Sequence, residues 1–119
     1  MNKLFTIGEM AKLFGINAKT LRYYDEIGLI RPEHTDPMTG YRYYSTGQFE
    51  RLNTIKYLRA LDMPLAKIMR FFENKDIGQM MEILKEQQQE VLVKRRELER
   101  IEHKISERLS QLHDALYTI

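Results

Sequence analysis

Residues 76 to about 117 form the segment that most restricts what this 119-residue chain can fold into. The segment has no proline, and Gly78 near its start is its only glycine, so nothing in it interrupts an α-helix. With a rise of about 1.5 Å per residue, such a helix is about 60 Å long. A globule made from the first 75 residues cannot cover a helix of that length.

Apolar residues recur along this predicted helix at alternating steps of four and three residues, which is the spacing of a coiled-coil seam. They are Ile77, Met81, Leu84, Val91, Leu98, Ile105, Leu109, Leu112 and Leu116. Gln88, Arg95 and Glu102 occupy the intervening seam positions, and Ile101 beside Glu102 indicates a local shift of the stripe. No second helix in the chain is predicted to cover the stripe, so we expect a second copy to do so. The expected dimer interface comprises Met81, Leu84, Val91, Leu98, Ile105, Leu109 and Leu112.

Composition excludes several classes of protein. The chain has no cysteine, which rules out a disulfide framework, a thiol nucleophile and a cysteine-based metal site. No apolar run approaches the roughly 18 residues of a membrane span, and the start has no signal-peptide pattern, so we expect a cytoplasmic protein without a membrane partner. His103 and His113 are ten residues apart, not the four that pair metal ligands on a helix, and His34 lies in a predicted loop. We expect no enzymatic activity, cofactor or metal.

Charge is distributed unevenly between the two parts of the chain. Residues 1–75 contain 12 Lys and Arg against 8 Asp and Glu, whereas residues 76–119 contain 7 against 9. The basic excess of the first part is compatible with a polyanionic partner, although many solvated helical surfaces carry a similar excess.

Two short helices are predicted at the start of the chain. Thr6 and Glu9 form a capping box, in which each side chain accepts a hydrogen bond from a backbone amide at the helix start. Gly15 ends this helix, and Asn17 is a good N-cap for the next, which Gly28 closes after about ten residues. The apolar stripes are Ile7, Met10, Ala11 and Phe14 in the first helix and Leu21, Tyr24 and Ile27 in the second.

Helical periodicity is lost between residues 29 and 44. Two segments with β propensity, residues 29–32 and 41–44, flank a loop with Pro37 and Gly40, which predicts a small antiparallel hairpin supported by the helices. A second capping box at residues 45–48 opens a third helix, and residues 62–64 interrupt it. Pro64 is well placed to begin a fourth helix.

The second helix carries the side chains that are most informative about function. Its outward face presents Lys19, Thr20, Arg22, Tyr23 and Glu26. Arginine binds phosphate or the guanine edge, threonine contacts phosphate or methyl groups, and tyrosine offers a rigid hydroxyl. Such a face is also typical of an ordinary solvated helix. A capped helix, a tight glycine turn and a second helix are, however, the order of a helix-turn-helix, whose second helix enters the DNA major groove.

Several motifs occur in a specific order: TIGE at 6–9, LRYYD at 21–25, GLI at 28–30, GYRYYS at 40–45, and Pro64-Leu65 before the long helix. Together they resemble the DNA-binding domain of the MerR family of bacterial transcription regulators, nearest its multidrug and small-molecule-responsive members. The resemblance implies a mostly α fold. It implies a winged helix-turn-helix DNA-binding domain over residues 1–75 and, over residues 76–119, a dimerisation helix that forms an antiparallel coiled coil with its twin.

The resemblance also implies roles for individual residues. The second helix enters the major groove, the hairpin is a wing that grips the backbone, and the helix after Ser45 adds phosphate contacts. The predicted DNA-binding residues are Lys19, Thr20, Arg22, Tyr23, Tyr24, Arg42, Tyr43, Lys56 and Arg59. Tyr24 is a core residue by periodicity, Arg42 has an alternative role stacked on a neighbouring tyrosine, and Lys56 and Arg59 have an alternative as solvated charges.

The function implied is that of a nucleoid-associated dimer that binds an inverted repeat in a promoter spacer. It bends and untwists that spacer, with RNA polymerase as an indirect partner. In the small-molecule-responsive relatives an effector domain follows the long helix, whereas this chain stops at Ile119. It is therefore either part of a longer protein or a short member, and we expect control by an effector domain outside it.

The alternative is a coiled-coil interaction module in which Arg22 and Tyr23 bind a protein. An RNA-binding role lacks an aromatic stacking platform on a predicted sheet.

Overall fold

A computed structural model describes residues 3–73 and 76–118 of the chain. Contacts divide the chain into two compact units, Met1–Phe72 and Glu73–Ile119. The predicted domain boundary after residue 75 falls at Asn74 and Lys75, which lie outside the described residues. Within the described ranges, no helix is both long and apolar enough to cross a membrane.

Two short helices open the first unit, as predicted. Helix α1 spans Ile7–Phe14 and helix α2 spans Ala18–Glu26. The amide of Glu9 donates to the hydroxyl of Thr6 at 3.1 Å, and the amide of Thr6 donates to Glu9 Oε1 at 3.0 Å, which confirms the capping box. Gly15 ends α1 in the left-handed region with a φ of 65°, where a side chain would be strained.

A three-stranded antiparallel sheet lies beside these helices, with the strands in the spatial order β1-β3-β2. Strand β1 is Phe5–Thr6, β2 is His34–Thr35 and β3 is Arg42–Tyr44. Phe5 pairs with Tyr44, and His34 pairs with Tyr43. The predicted hairpin is therefore present, and β1 adds a strand that no periodicity in the sequence indicated.

The first strand of the hairpin was wrongly placed at residues 29–32, and it lies inside the predicted loop instead. The amides of Leu29 and Ile30 donate to the carbonyl of Tyr24 at 2.8 and 3.3 Å, and both side chains are fully buried. These two residues therefore complete the C-terminus of α2.

The second capping box and the following interruption are also confirmed. The amide of Ser45 donates to Gln48 Oε1 at 2.7 Å, and a 3-10 turn over Thr46–Gln48 leads into helix α3 at Phe49–Ala60. Asp62 takes a φ of 62°, a left-handed conformation that stops the helix. The carbonyl of Pro64 accepts the amides of Lys67 and Ile68 at 3.0 Å each, and helix α4 spans Leu65–Glu73.

The core of the first unit is made by the inward faces of α1 to α4 and the end of β3. The ring of Phe49 lies 5.4 Å from that of Phe5 and 5.2 Å from that of Phe14, so one aromatic side chain joins β1, α1 and α3. The buried apolar residues of this unit are Met10, Ala11, Phe14, Leu21, Tyr24, Leu29, Ile30, Tyr44, Leu52, Ile55, Leu58, Met63 and Ile68.

The second unit contains one long helix, α5, which spans Ile77–Tyr117 over 41 residues. The side chain of Asp76 caps it by accepting the amide of Gly78 at 3.0 Å. The single uninterrupted helix predicted from the lack of proline is therefore confirmed, and the fold as a whole is mostly helical with a small sheet.

Candidate nucleic-acid interface

Helix α2 separates its side chains into a buried and an exposed face. The side chain of Asn17 accepts the amide of Lys19 at 2.7 Å, which sets the start of the helix. Leu21 is fully buried, and Tyr24 is 8% exposed, so the structure places Tyr24 in the core. Lys19, Arg22 and Tyr23 are exposed, and Thr20 is half-buried. The outward face predicted from sequence is thus formed by one rigid helix.

The β2–β3 hairpin, which is the predicted wing, lies next to the exposed face of α2. Arg22 of α2 and Arg42 of β3 line one groove of about 310 Å³, together with Tyr41 and Tyr43. The ring of Tyr43 stacks on that of His34 across the two strands, with centroids 6.2 Å apart. Two guanidinium groups and two tyrosines form a surface that can bind phosphate and present hydroxyls to a nucleic acid.

Arg42 forms an ion pair with Asp25, which is the penultimate residue of α2, the helix that also carries Arg22. Both side chains are partly sheltered, at 29% and 13% exposure, so this pair is screened less than one on the surface. Asp25 was not among the predicted site residues. Its spacing from Leu21 is the signal that could have found it, because a residue four positions after a buried leucine lies at the edge of the buried face.

Tyr44 lies next to this ion pair and is fully buried. Its hydroxyl has no hydrogen-bond partner among the described residues. Burial, with a smaller effect of the negative charge of Asp25, raises the pKa of Tyr44 to about 12, and the positive charge of Arg42 opposes this shift. The phenol therefore stays neutral at physiological pH and acts as a packing group behind the wing.

Three cations of α3 donate to backbone carbonyls. Lys56 Nζ donates to the carbonyl of Phe14 at the end of α1. Arg59 Nη1 donates to the carbonyl of Met63 at 2.7 Å, and Arg51 Nε donates to that of Leu29 at 2.7 Å. These contacts satisfy carbonyls where helices end. Lys56 and Arg59 thus each make a contact within the chain. Neither of the two predictions for these residues, phosphate binding or a solvated charge, included such a contact.

Arg51 was missed at the sequence level. Its guanidinium lies 3.9 Å from the ring centroid of Phe72, and burial, with a smaller effect of nearby Arg31, lowers its pKa. The signal was available, because Arg51 lies four residues before buried Ile55 and therefore on the inward side of α3.

The apolar stripe of α5 is exposed in the single chain. The predicted interface residues range from 39% exposure at Leu84 to 66% at Leu98, and Ile77 and Leu116 at the two ends reach 73% and 70%. An exposed row of large apolar side chains, even one interrupted by Gln88, Arg95 and Glu102, is typical of an interaction site. In the described residues, no three His, Asp or Glu side chains lie close enough together to hold a metal ion.

A family model places these features in a known context. The model of MerR HTH family regulatory proteins matches residues 5–75. The multidrug-efflux transporter 2 regulator of Bacillus subtilis (strain 168) is 36% identical over 118 residues, which cover 99% of this chain and 43% of that regulator. The chain spans less than half the length of the curated relatives that it matches first.

Solved structures agree with this match. The EcmrR–DNA complex in EcmrR-RPo is similar with a TM-score of 0.81 and 27% identity, covering 97% of this chain and 41% of that one. HiNmlR is a MerR family regulator lacking the sensor domain, and its crystal structure holds promoter DNA. It is similar with a TM-score of 0.64 and 26% identity, over 95% of this chain and 89% of that chain. Both of these structures contain DNA.

Proposed function

The chain belongs to the MerR family of helix-turn-helix regulatory proteins, and on that premise we propose that it is a dimeric, sequence-specific DNA-binding transcription regulator. The proposal places α2 in the major groove and the β2–β3 wing on the adjacent backbone. It assigns residues 1–75 to DNA binding and residues 76–119 to dimerisation. No enzymatic activity is part of this function.

The observation that carries the proposal is the shared groove of Arg22 and Arg42. Arg22 is exposed, and within the described part of the chain no carboxylate pairs with it. Arg42 is kept beside it by Asp25. A helix with side chains is about 10–12 Å wide, which matches the major groove of B-DNA. A groove-bound α2 therefore brings the wing to the neighbouring phosphates.

The remaining predicted contacts divide into two groups. Lys19, Thr20 and Tyr23 belong to α2 and are proposed to contact bases or the phosphates that flank them, while Tyr43 belongs to the wing. Lys56 and Arg59 are proposed as phosphate contacts because an ammonium has three N–H donors and a guanidinium five, so one carbonyl does not exhaust either. Tyr24, which is buried, is proposed to act mainly by supporting Tyr23.

Dimerisation through the exposed stripe of α5 is the second part of the proposal. Two copies related by a two-fold axis present two α2 helices, so the preferred site is an inverted repeat. By analogy with the family, the site lies in a promoter spacer that the dimer bends and untwists, and RNA polymerase is an indirect partner. HiNmlR, which this chain matches over 89% of its length, lacks a sensor domain and is bound to promoter DNA. This supports the view that a regulator of similar length binds promoter DNA without a sensor domain.

Selection from random duplexes tests the proposal directly. Purified protein at low salt should enrich an inverted repeat, and binding to it should weaken steeply as salt rises, because phosphate contacts release counterions. In fluorescence anisotropy, Arg22→Ala should lower affinity by about 10- to 100-fold, the cost of one strong base or phosphate contact.

Arg100→Ala is the matched control, because it removes the same charge from an exposed position on α5. We expect it to change affinity by less than about twofold. If Arg22→Ala and Tyr23→Ala leave duplex binding unchanged while the dimer persists, DNA readout by α2 is refuted and the coiled-coil interaction module is favoured.

A further inference from the structure

Another cleft of the first unit carries two arginines and is distinct from the groove of Arg22 and Arg42. Its volume is about 290 Å³. It is lined by Gly28, Leu29, Arg31, Gly47, Gln48 and Arg51. None of these residues lines the groove of the candidate nucleic-acid interface, and none is among the proposed DNA contacts. The cleft therefore has no role in the function proposed so far.

The guanidinium of Arg51 is oriented in this cleft by two contacts that leave most of its donors unused. Its Nε donates to the carbonyl of Leu29 at 2.7 Å, and its Cζ lies 3.9 Å from the ring centroid of Phe72. A guanidinium has five N–H donors, and those of the two Nη atoms have no acceptor among the described residues. Arg51 therefore presents an oriented pair of donors, which is the geometry that binds an oxyanion through two parallel hydrogen bonds.

Arg31 adds a second positive charge to the same cleft. It is exposed, and within the described ranges neither Arg31 nor Arg51 forms an ion pair with a carboxylate. Glu33 is close in sequence, but its Oε2 accepts hydrogen bonds from Gln48 Nε2 at 3.1 Å and from Ser45 Oγ at 3.4 Å. Burial, with a smaller effect of Arg31, lowers the pKa of Arg51, and the effect of Arg31 is the repulsion of a like charge.

The structural role of Arg51 does not account for this pair of charges. Its contacts with Leu29 and Phe72 hold the end of α2 and a residue of α4 against α3, and neither contact involves Arg31. A second cation beside Arg51 adds only repulsion to these contacts. Two guanidinium groups that line one cleft without a carboxylate are, however, the arrangement that binds an anion.

Charge and size define the class of anion. A phosphate monoester carries a charge of about −1.5 to −2 at pH 7, which matches two guanidinium groups, whereas a carboxylate or a phosphodiester of DNA carries a single charge. Pockets for drug-sized ligands have volumes of about 300–1,000 Å³, so a cleft of about 290 Å³ suits a phosphate group better than a whole molecule of that size. Because Arg31 is exposed, the rest of the ligand can extend into solvent.

We propose that the cleft of Arg31 and Arg51 binds the phosphate group of a small phosphorylated molecule. The Nη atoms of Arg51 donate to two phosphate oxygens, and Arg31 neutralises the remaining charge. Because Arg51 also donates to Leu29 at the end of α2, the bound phosphate stabilises the junction between α2 and α3. Phosphate binding here needs no DNA, so it goes beyond the proposed function and does not depend on it.

Inorganic phosphate is the probe, titrated into the ¹⁵N-labelled full chain at neutral pH and constant ionic strength. We expect saturable NMR shifts of the amides of Gly28, Arg31 and Gln48 and of the Arg51 Nε–H. Arg31→Ala should weaken phosphate binding at least about tenfold, the effect of losing a charge-assisted hydrogen bond. Arg100→Ala removes the same charge from an exposed position on α5 and should change phosphate binding by less than about twofold. Acetate should bind at least about tenfold more weakly than phosphate.

Shifts that do not saturate, or that Arg31→Ala and Arg100→Ala reduce equally, would overturn the site, because they would report only general screening of charge. Acetate binding as tight as that of phosphate would overturn the class of ligand.

Duplex binding separates the two sources of phosphate. Arg31→Ala should change duplex affinity by less than about twofold. A loss of about tenfold with a shallower salt dependence would assign the cleft to the DNA backbone and overturn the small ligand. The proposed function is read separately from Arg22→Ala, which should lower duplex affinity and leave phosphate binding in the cleft unchanged.

Discussion

The two units of the chain differ in how far their apolar side chains are buried. In Met1–Phe72, residues such as Met10, Leu21 and Leu52 are fully buried, and cations at Arg51, Lys56 and Arg59 bind the carbonyls where helices end. In α5, the seam residues are 39% to 73% exposed. The first unit buries these residues in a core of its own, whereas the seam of α5 is exposed and is proposed to pack against a second copy. We therefore expect substitutions in the first unit to change its stability and substitutions in the seam to change dimerisation.

The largest effect is expected from a charge in the seam. Leu109→Glu should weaken dimerisation by about a hundredfold or more, because each dimer would bury two unpaired carboxylates. The circular dichroism and thermal unfolding of the first unit should not change. Sedimentation measures the association constant. Val93→Glu is the control, since Val93 is 50% exposed but lies off the seam, and an equal loss from it would contradict the seam assignment.

The ion pair of Asp25 with Arg42 links α2 to the wing. Asp25→Asn should reduce the free energy of unfolding by about 1–2 kcal/mol, since a sheltered guanidinium loses its counter-charge. It should also weaken duplex binding by releasing Arg42. Urea unfolding and anisotropy measure the two effects. Glu26→Gln removes the same charge from an exposed neighbouring position, and an equal effect from it would show that only net charge matters.

The contact of Lys56 with the carbonyl of Phe14 makes a charged surface residue part of the fold. Lys56→Met keeps the alkyl stem and should cost about 1 kcal/mol of stability, the usual net value of such a hydrogen bond. If Lys56 also contacts phosphate, the salt dependence of duplex binding should become less steep by about one counterion. A loss of stability with an unchanged salt slope would confine Lys56 to a structural role.

The buried hydroxyl of Tyr44 should be dispensable for the first unit. Tyr44→Phe should stabilise the fold by up to about 1 kcal/mol, because it removes a polar atom that has no partner in the described residues. The midpoint of urea unfolding measures this. Tyr43→Phe, whose ring is only half-buried, should be neutral. Marked destabilisation by Tyr44→Phe would mean that the hydroxyl makes a stabilising contact after all.

The smallest effect concerns the capping box of α1. Hydrogen bonds from the amide and hydroxyl of Thr6 lower the pKa of Glu9 below its ordinary 4.5. The stability from this carboxylate is therefore present above its unfolded pKa and is lost as the pH falls through the lower folded pKa. NMR titration should show the shift, and Thr6→Ala should move the pKa back towards 4.5. Because Thr6→Ala keeps the backbone amide, a titration that it leaves unaltered would assign the shift to that amide and remove the hydroxyl as a cause.

Local signals were sufficient for much of the fold. Thr6 with Glu9, Asn17, and Ser45 with Gln48 each mark a helix start through groups within three residues of one another. The exposed face of α2 followed from the same periodicity that buries Leu21. Strand β2 was misplaced because Leu29 and Ile30 have the composition of a strand but complete the end of α2 instead.

The sequence by itself determined the helices, the uninterrupted length of α5 and the apolar stripe along it, because these depend on neighbours within about four residues. Only the tertiary structure decided the pairing of Phe5 with Tyr44, the ion pair of Asp25 with Arg42, and the carbonyl contacts of Arg51 and Lys56. Each of these joins residues from 17 to 42 positions apart along the chain. Such contacts depend on how the helices pack, which no local pattern encodes.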